Sequence, residues 1–241
     1  MILSDVISKS YYGSVGHISS QKDIDVLEQY IVYNLPVLQH FKNVIAANNY
    51  TDLSLVEKTE NVWKKYFPNS IQINNKISRG HSFGAADNDD SIFDYCKLNN
   101  IEWLCKSAND IILNPGVLNK QIEEADFYYL NGIGFSSWQE CNFDYTVYKN
   151  QWYSFYPQTN FYFINVSKID YLNDKQYANE TYEYIKTLSD YNGRIWEYIQ
   201  GWSCEDFLKQ CVERNNLKKE HLISRDNYIS LLNLINLILI I

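Results

Sequence analysis

Four short apolar runs, each separated from the next by a segment of helical periodicity, constrain this chain more than any other feature of its sequence. Residues 10–18 read as a first strand ending near Gly16 and His17. NVIAANNY is a second, ending in Asn48 and Asn49; SIQINNKI is a third, and IEWLCKSAND a fourth. Between them, DIDVLEQYIVYNLPVLQHFK from Asp23 repeats apolar residues at helical spacing, with Pro36 predicting a kink. DLSLVEKTENVWKKYF is amphipathic behind a candidate N-cap at Asp52, and DDSIFDYCKLNN reads as a short helix. Strands alternating with helices predict an α/β fold: a mainly parallel, doubly wound sheet with helices on both faces. Such sheets bind ligands at the carboxyl ends of their strands. Asn48, Arg79 and Asp110 all fall at or just after those predicted ends.

The second half has a different texture. DFYYLNGIGFSSW and TNFYFINVSKIDYL are aromatic strands, followed by helices around ETYEYIKTL and from Cys204 to about Arg214. A short strand, HLIS, and the apolar tail LLNLINLILII close the sequence. No repeat or Pro/Gly-rich linker interrupts the chain. It reads as one domain over 1–241, with one half at about 1–125 and a second at about 126–241. The tail is too short to span a bilayer; packing inside the fold and contact with a membrane surface or a partner both remain open for it.

Composition removes several function classes. A net charge of −8 with no basic stripe argues against a nucleic-acid groove, though a bound cation could still offset a nucleotide's phosphates. Cys96, Cys105, Cys141, Cys204 and Cys211 are odd in number and lack CxxC spacing, so they predict buried free thiols in a reducing compartment. The N-terminus has no basic region followed by a long apolar stretch, so no signal peptide is expected and the predicted location is cytoplasmic. The sequons at Asn49, Asn165 and Asn179 then read as chance matches.

Three segments carry chemistry. In KSANDIILNP, Asp110 ends a strand, where an acid can ligate a hard divalent cation that holds a diphosphate; an ordinary turn or cap is the alternative. In EYIQGWSCEDFLKQCVERNN, Gly201 permits close approach, Trp202 offers a ring face, and Glu205 and Asp206 open a helix. The helix dipole keeps such acids ionised, which suits a base for a hydroxyl nucleophile. In NNLKKEHLIS, His221 stands where a short strand begins. The polar segment GHSFGAADNDD, with His81 and Asp87 to Asp90, reads as a solvated loop with Asp90 or Ser91 capping the next helix.

In that order (strand–Asp–apolar–Pro, Gly-Trp-x-x-Glu-Asp opening a helix, a late His) the segments resemble the GT-A glycosyltransferases. The likeness is to metal-dependent inverting enzymes of the galactosyltransferase and polysaccharide-synthase type, and it spans about residues 10–225. Ala108-Asn109-Asp110 fills the register of that family's DxD motif, and GWSCED matches its acceptor segment with Ser203 in place of a glycine. The resemblance implies a GT-A fold, a nucleotide-sugar donor (UDP-sugar foremost), and a glycan or other hydroxyl acceptor. It implies Mn²⁺ or Mg²⁺ held by Asp110 and His221. Asp206 would then be the catalytic base; Glu205, Trp202, Gly201, Asn131 and Gly132 would bind acceptor; Arg79, Asn48, Asn109 and Asp110 would bind donor. Tyr129 would line the acceptor side. The departure is Ala108, where the family's first Asp touches the ribose or donor sugar. A non-catalytic nucleotide-sugar or carbohydrate-binding module on the same fold is the rival reading. A nucleotidyltransferase ranks below it, because GSVGHISSQK is a poor phosphate loop.

Overall fold

The computed structural model describes residues 1–76, 81–109, 111–131, 157–170, 183, 186–187 and 204–222, with backbone alone at 81, 82, 130, 131, 157–160, 204–207 and 210. Its first half follows the alternating pattern. Helix α1 (Leu3–Ile7) leads into β1 (Ser10–Ile18), α2 (Gln21–Leu38) and β2 (Asn43–Tyr50). Then come α3 (Val56–Tyr66), β3 (Ile71–Asn75), α4 (His81–Leu98) and β4 (Trp103–Ala108). In the second half, β5 (Phe127–Asn131) and β6 (Pro157–Asn165) precede α5 (Cys204–Arg214) and β7 (Lys219–His221).

The strands form one seven-stranded sheet in the order β3-β2-β1-β4-β6-β5-β7. The first four are mutually parallel where they pair. Strand β6 runs antiparallel to both neighbours, and β7 pairs parallel with β5. All strands except β6 therefore point the same way, and their carboxyl ends share one edge. The mixed α/β architecture expected from the alternation is present, with one antiparallel strand inserted.

Helices cover both faces. On one, Leu27 and Ile31 of α2 and Trp63 of α3 pack with Tyr12, Ile18, Val44 and Phe163 of the sheet. On the other, Ile92, Phe93 and Cys96 of α4 and Leu208 and Val212 of α5 pack with Ile45, Leu104 and Ile164. The period-2 alternation of strand side chains divides the two cores. Gly13 permits the closest approach on the second face: a Cβ there would lie 3.0 Å from Leu104 Cδ1 and 3.2 Å from Ile92 Cδ1.

Helix boundaries follow their capping chemistry. The Asp23 carboxylate accepts from the N–H and O–H of both Ser19 and Ser20, closing the start of α2. Partial burial opposes ionisation of Asp23, but those four donors hold its pKa below the ordinary value. Helix α2 continues through Pro36 to Leu38, so the proline sits within its last turn. Asp52 caps a short 3₁₀ turn, Leu53–Leu55, by accepting from Ser54 N–H at 2.9 Å. Helices α4 and α5 end alike. Asn100 and Asn216 take the left-handed conformation, and Ile101 N–H reaches Cys96 C=O as Leu217 N–H reaches Val212 C=O.

Two expectations need correction. The segment from His81 to Asp90 is the first half of α4, not a solvated loop; Asn88, Asp89 and Asp90 are buried. Local pattern misleads there because Gly16 and Lys106 on the sheet pair Asn88 and Asp89. Strand β7 ends at His221 instead of beginning there. Cys96, Cys105 and Cys211 are buried free thiols, as expected. Asn49 and Asn165 are buried in strands, which removes those two sequons as glycan sites on the folded chain. The apolar tail, and most of the helix expected around ETYEYIKTL, lie outside the described residues. Among the described residues no helix is long and apolar enough to cross a membrane.

Candidate functional site

At the carboxyl edge, β1 lies between β2 and β4. The register sets Gly16 opposite Asn48, and Val15 opposite Ala108. One residue beyond β4, Asn109 N–H still donates to Val15 C=O at 3.2 Å. Asn48 and Asn109 therefore flank Gly16 from its two neighbouring strands. A Cβ on Gly16 would stand 2.5 Å from Asn109 Nδ2 and 2.8 Å from Asn48 Oδ1. Glycine at 16 is what allows the two amides to converge.

Asn48 is only 3% exposed, and its Nδ2 makes no hydrogen bond of normal geometry among the described residues; burial raises the Tyr50 phenol to about 12, and the nearby Asn48 amide offsets part of that rise. A buried donor without a partner costs about 1–3 kcal/mol, which a ligand oxygen at that point would recover. Beneath this pair, Ser14 and Ser107 are buried, and the hydroxyls of Tyr12 and Tyr30 hydrogen-bond to each other. Burial pushes the Tyr30 phenol up to about 12, outweighing hydrogen bonds from Tyr12, Ser107 and Ser14 that lower it. Burial likewise raises Tyr12 well above its ordinary value. The column is uncharged at neutral pH.

The opposite face holds Gly16 from behind. Asn88 Nδ2 donates to Gly16 C=O at 3.1 Å, and Asn75 Nδ2 donates to Asn88 Oδ1 at 2.6 Å. Asn49 Nδ2 donates to Gly84 C=O at 2.6 Å. These bonds pin the first turns of α4 to the strand ends. Deeper, Lys106 Nζ lies 3.5 Å from Asp89 Oδ1 with both side chains almost fully buried, and 5.8 Å from the Tyr162 ring centre.

The chain after β4 has its own anchor. Buried Asn34 of α2 donates through Nδ2 to Tyr30 C=O at 3.0 Å and Ile111 C=O at 2.9 Å, and its Oδ1 accepts from Leu113 N–H at 2.6 Å. Sequence reasoning passed over Asn34. Its signal was an amide on the apolar stripe of α2, between Tyr30 and Ile31 on one side and Val37 and Leu38 on the other.

Of the sequence-derived site residues, the structure brings Asn48 and Asn109 together. Arg79, Asp110, Gly132, Gly201 and Trp202 lie outside the described residues. Asn131 ends β5, with its side chain not described. Glu205 and Asp206 stand in the first turn of α5, also as backbone only. Helix α5 turns directly into β7, which points toward the carboxyl edge, so the start of α5 faces that edge as well. Tyr129 is half-buried, and burial, then the charge of Glu220, raises its pKa.

His221 is not brought to the β4 terminus. It shares a cross-sheet row with Tyr129, Tyr162 and Lys106. In that row it stands three strand spacings from β4, about 14 Å, and level with Lys106, two residues or about 7 Å short of the end of β4 at Ala108. Its ring packs on Tyr129 with centres 5.1 Å apart, and burial, then Lys120, lowers its pKa. Among the described residues no group of three or more His, Cys, Asp or Glu side chains is placed to hold a metal. In the sequence an amide at 109 is followed by a carboxylate at 110, oxygen donors of the kind a hard cation takes.

No protein-family profile matches the chain, and no curated protein does. Among solved structures it is similar to a glycosyltransferase involved in the glycosylation of the major capsid of PBCV-1. The identity is 11% and the TM-score 0.32, over 79% of this chain and 72% of that one. Similarity this weak carries no argument about function.

Proposed function

We propose that this chain is a glycosyltransferase of the GT-A type, moving a sugar from a nucleotide-sugar to a hydroxyl acceptor. The observation that carries the reading is the amide seat at Gly16. Among the described residues the buried Asn48 Nδ2 makes no hydrogen bond of normal geometry, and Asn48 and Asn109 converge from the two strands that flank Gly16, at the carboxyl ends where a sheet of this kind takes its ligand. The sequence supplies the rest: an acid at 110 directly after Asn109, and the Glu205–Asp206 pair opening α5.

In this reading Asn48 and Asn109 bind the nucleoside part of the donor, and Arg79 meets the phosphates. Asp110 holds Mn²⁺ or Mg²⁺, which when bound neutralises charge on the departing diphosphate. Asp206 takes the proton from the acceptor hydroxyl. The acceptor oxygen then bonds to the anomeric carbon as the bond to the diphosphate breaks, giving inversion. Trp202 and Gly201 pack the acceptor ring, with Glu205, Asn131 and Gly132 on its hydroxyls. His221 is the ligand whose register fits least with the rest, and His221→Ala is expected to leave metal-dependent nucleotide affinity within about twofold of wild type.

The test is a panel of UDP-, GDP- and CMP-sugars with Mn²⁺ and simple glycan acceptors. Transfer is expected with one donor class, with Asp206→Asn losing about 10²–10⁴-fold in rate while donor affinity stays within a few-fold. Ala108 favours a second reading, a module that binds the donor without turnover, because it removes a carboxylate from the position that meets the sugar or ribose. Tight nucleotide binding with no transfer, unchanged by Asp206→Asn, would establish that reading in place of the first.

A further inference from the structure

We infer that Tyr50 is a positioning residue for the seat at Gly16: with Asn74, Thr59 and Glu60 it fixes which end of the Asn48 amide faces the ligand, and the seat thereby selects the imide edge of uracil or thymine. This rests on the reading that the carboxyl edge binds a nucleotide. The chain of bonds starts at the surface of α3, on a group that only accepts. A hydrogen bond from Lys64 at 2.8 Å holds the Glu60 carboxylate ionised against partial burial, and Asn74 Nδ2 adds a second at 2.8 Å. With its nitrogen committed to Glu60, Asn74 turns its oxygen to Tyr50, whose O–H donates to it at 3.1 Å. Thr59 also stands beside the phenol, and its own proton goes to Leu55 C=O at 2.8 Å, so there it too only accepts.

The single proton of Tyr50 is thus claimed from β3 and α3, and its oxygen is left as an acceptor. The Asn48 amide, also beside the phenol, meets that oxygen, which puts its nitrogen on the Tyr50 side and its oxygen on the Gly16 side. The coordinates agree: Asn48 Oδ1 is the atom a Gly16 Cβ would meet at 2.8 Å, with Asn109 Nδ2 at 2.5 Å on the other flank. Asn48 Nδ2 closes no bond of normal geometry among the described residues, and of its two protons Tyr50 takes at most one, leaving the other for a ligand. Across the seat the groups run donor (Asn48 Nδ2), acceptor (Asn48 Oδ1), donor (Asn109 Nδ2). An imide, a ring N–H between two carbonyls, complements all three. Uracil and thymine carry that edge, guanine departs from it at one point, and cytosine at two.

The experiment is calorimetric titration of UDP, dTDP, CDP and GDP with Mg²⁺ into wild type, Tyr50→Phe and the double variant Asn74→Leu/Thr59→Val, alongside thermal melting. UDP and CDP share ribose and diphosphate, so the ratio of their affinities reports the base alone. Wild type is expected to favour the better of UDP and dTDP over CDP by at least about tenfold, and which of the two binds tighter identifies the source of the imide. Tyr50→Phe lets the Asn48 amide turn over. The double variant keeps the phenol but frees its proton to point at Asn48. Each is expected to bring that preference within about threefold. A packing role alone lowers the melting temperature and weakens every nucleotide together, with the preference intact. That result in both variants, a wild type that does not discriminate or that binds GDP alone, or failure of both variants to fold, overturns the proposal and leaves the functional reading standing. A wild type that binds none of the four overturns that reading and the proposal with it.

Discussion

The two faces of the sheet bury polar groups in opposite ways. Under α2, the column of Tyr12, Tyr30, Ser14, Ser107 and Asn34 is neutral throughout and leads up to Asn48, whose Nδ2 makes no hydrogen bond of normal geometry among the described residues. Under α4, the buried groups include a charged pair, Lys106 with Asp89, and an amide chain from Asn75 through Asn88 to Gly16. The difference teaches which face is scaffold and which is seat. A buried ion pair is expensive to open on one side only, so it fixes α4 against β4. An unpaired amide is a stability loss that persists when something outside the chain completes it.

The charged face should be the easiest to break. Lys106→Met takes a buried positive charge from beside Asp89 and is expected to cost about 3–5 kcal/mol in urea unfolding, with Asp89→Leu added to it restoring part of the loss. A single-mutant cost within experimental error of zero would remove the distinction between the faces.

The neutral column should respond at high pH. The Tyr30 phenol ionises near 10 when unfolded and near 12 when folded, so its contribution is fully present below pH 10 and is lost as pH rises toward 12. Tyr30→Phe takes from the buried Tyr12 hydroxyl one of its two side-chain partners and leaves Ser107, is expected to cost about 1–2 kcal/mol at neutral pH, and should make the alkaline decline shallower. Unfolding midpoints between pH 8 and 11 for the two proteins measure both effects.

The smallest stability change is expected at the seat itself. Asn48→Leu removes a buried donor that makes no hydrogen bond of normal geometry among the described residues, so stability should stay within about 0.5 kcal/mol of wild type or rise, while nucleotide affinity falls at least about tenfold. A destabilisation comparable to that of Tyr30→Phe would place Asn48 with the scaffold.

Much of the fold was legible because its signals are local. The apolar runs of β1 to β4 and the spacing of Ile24, Leu27, Ile31 and Leu38 in α2 needed no knowledge of partners. Asn48 was legible for the same reason, since a strand end is a position in the sequence. Asn34, Asn88 and Lys106 were not: each is a polar residue whose partner lies on another element, and local pattern assigns such residues to solvent or to a turn. The placement of His221 was hidden too. Its distance from the end of β4 depends on β6 and β5 inserting between β4 and β7, a pairing order that no single segment encodes.

The central claim is that the edge around Gly16 seats a nucleotide through Asn48 and Asn109. It is tested most directly by following the side-chain amide resonances of both residues, assigned through Asn48→Leu and Asn109→Ala, during a titration with UDP and Mg²⁺. The account predicts that the Asn48 amide protons move downfield and saturate together with the bulk binding curve, with Asn109 moving in step. Saturable nucleotide binding that leaves both amides unmoved, or no binding at all, would contradict it.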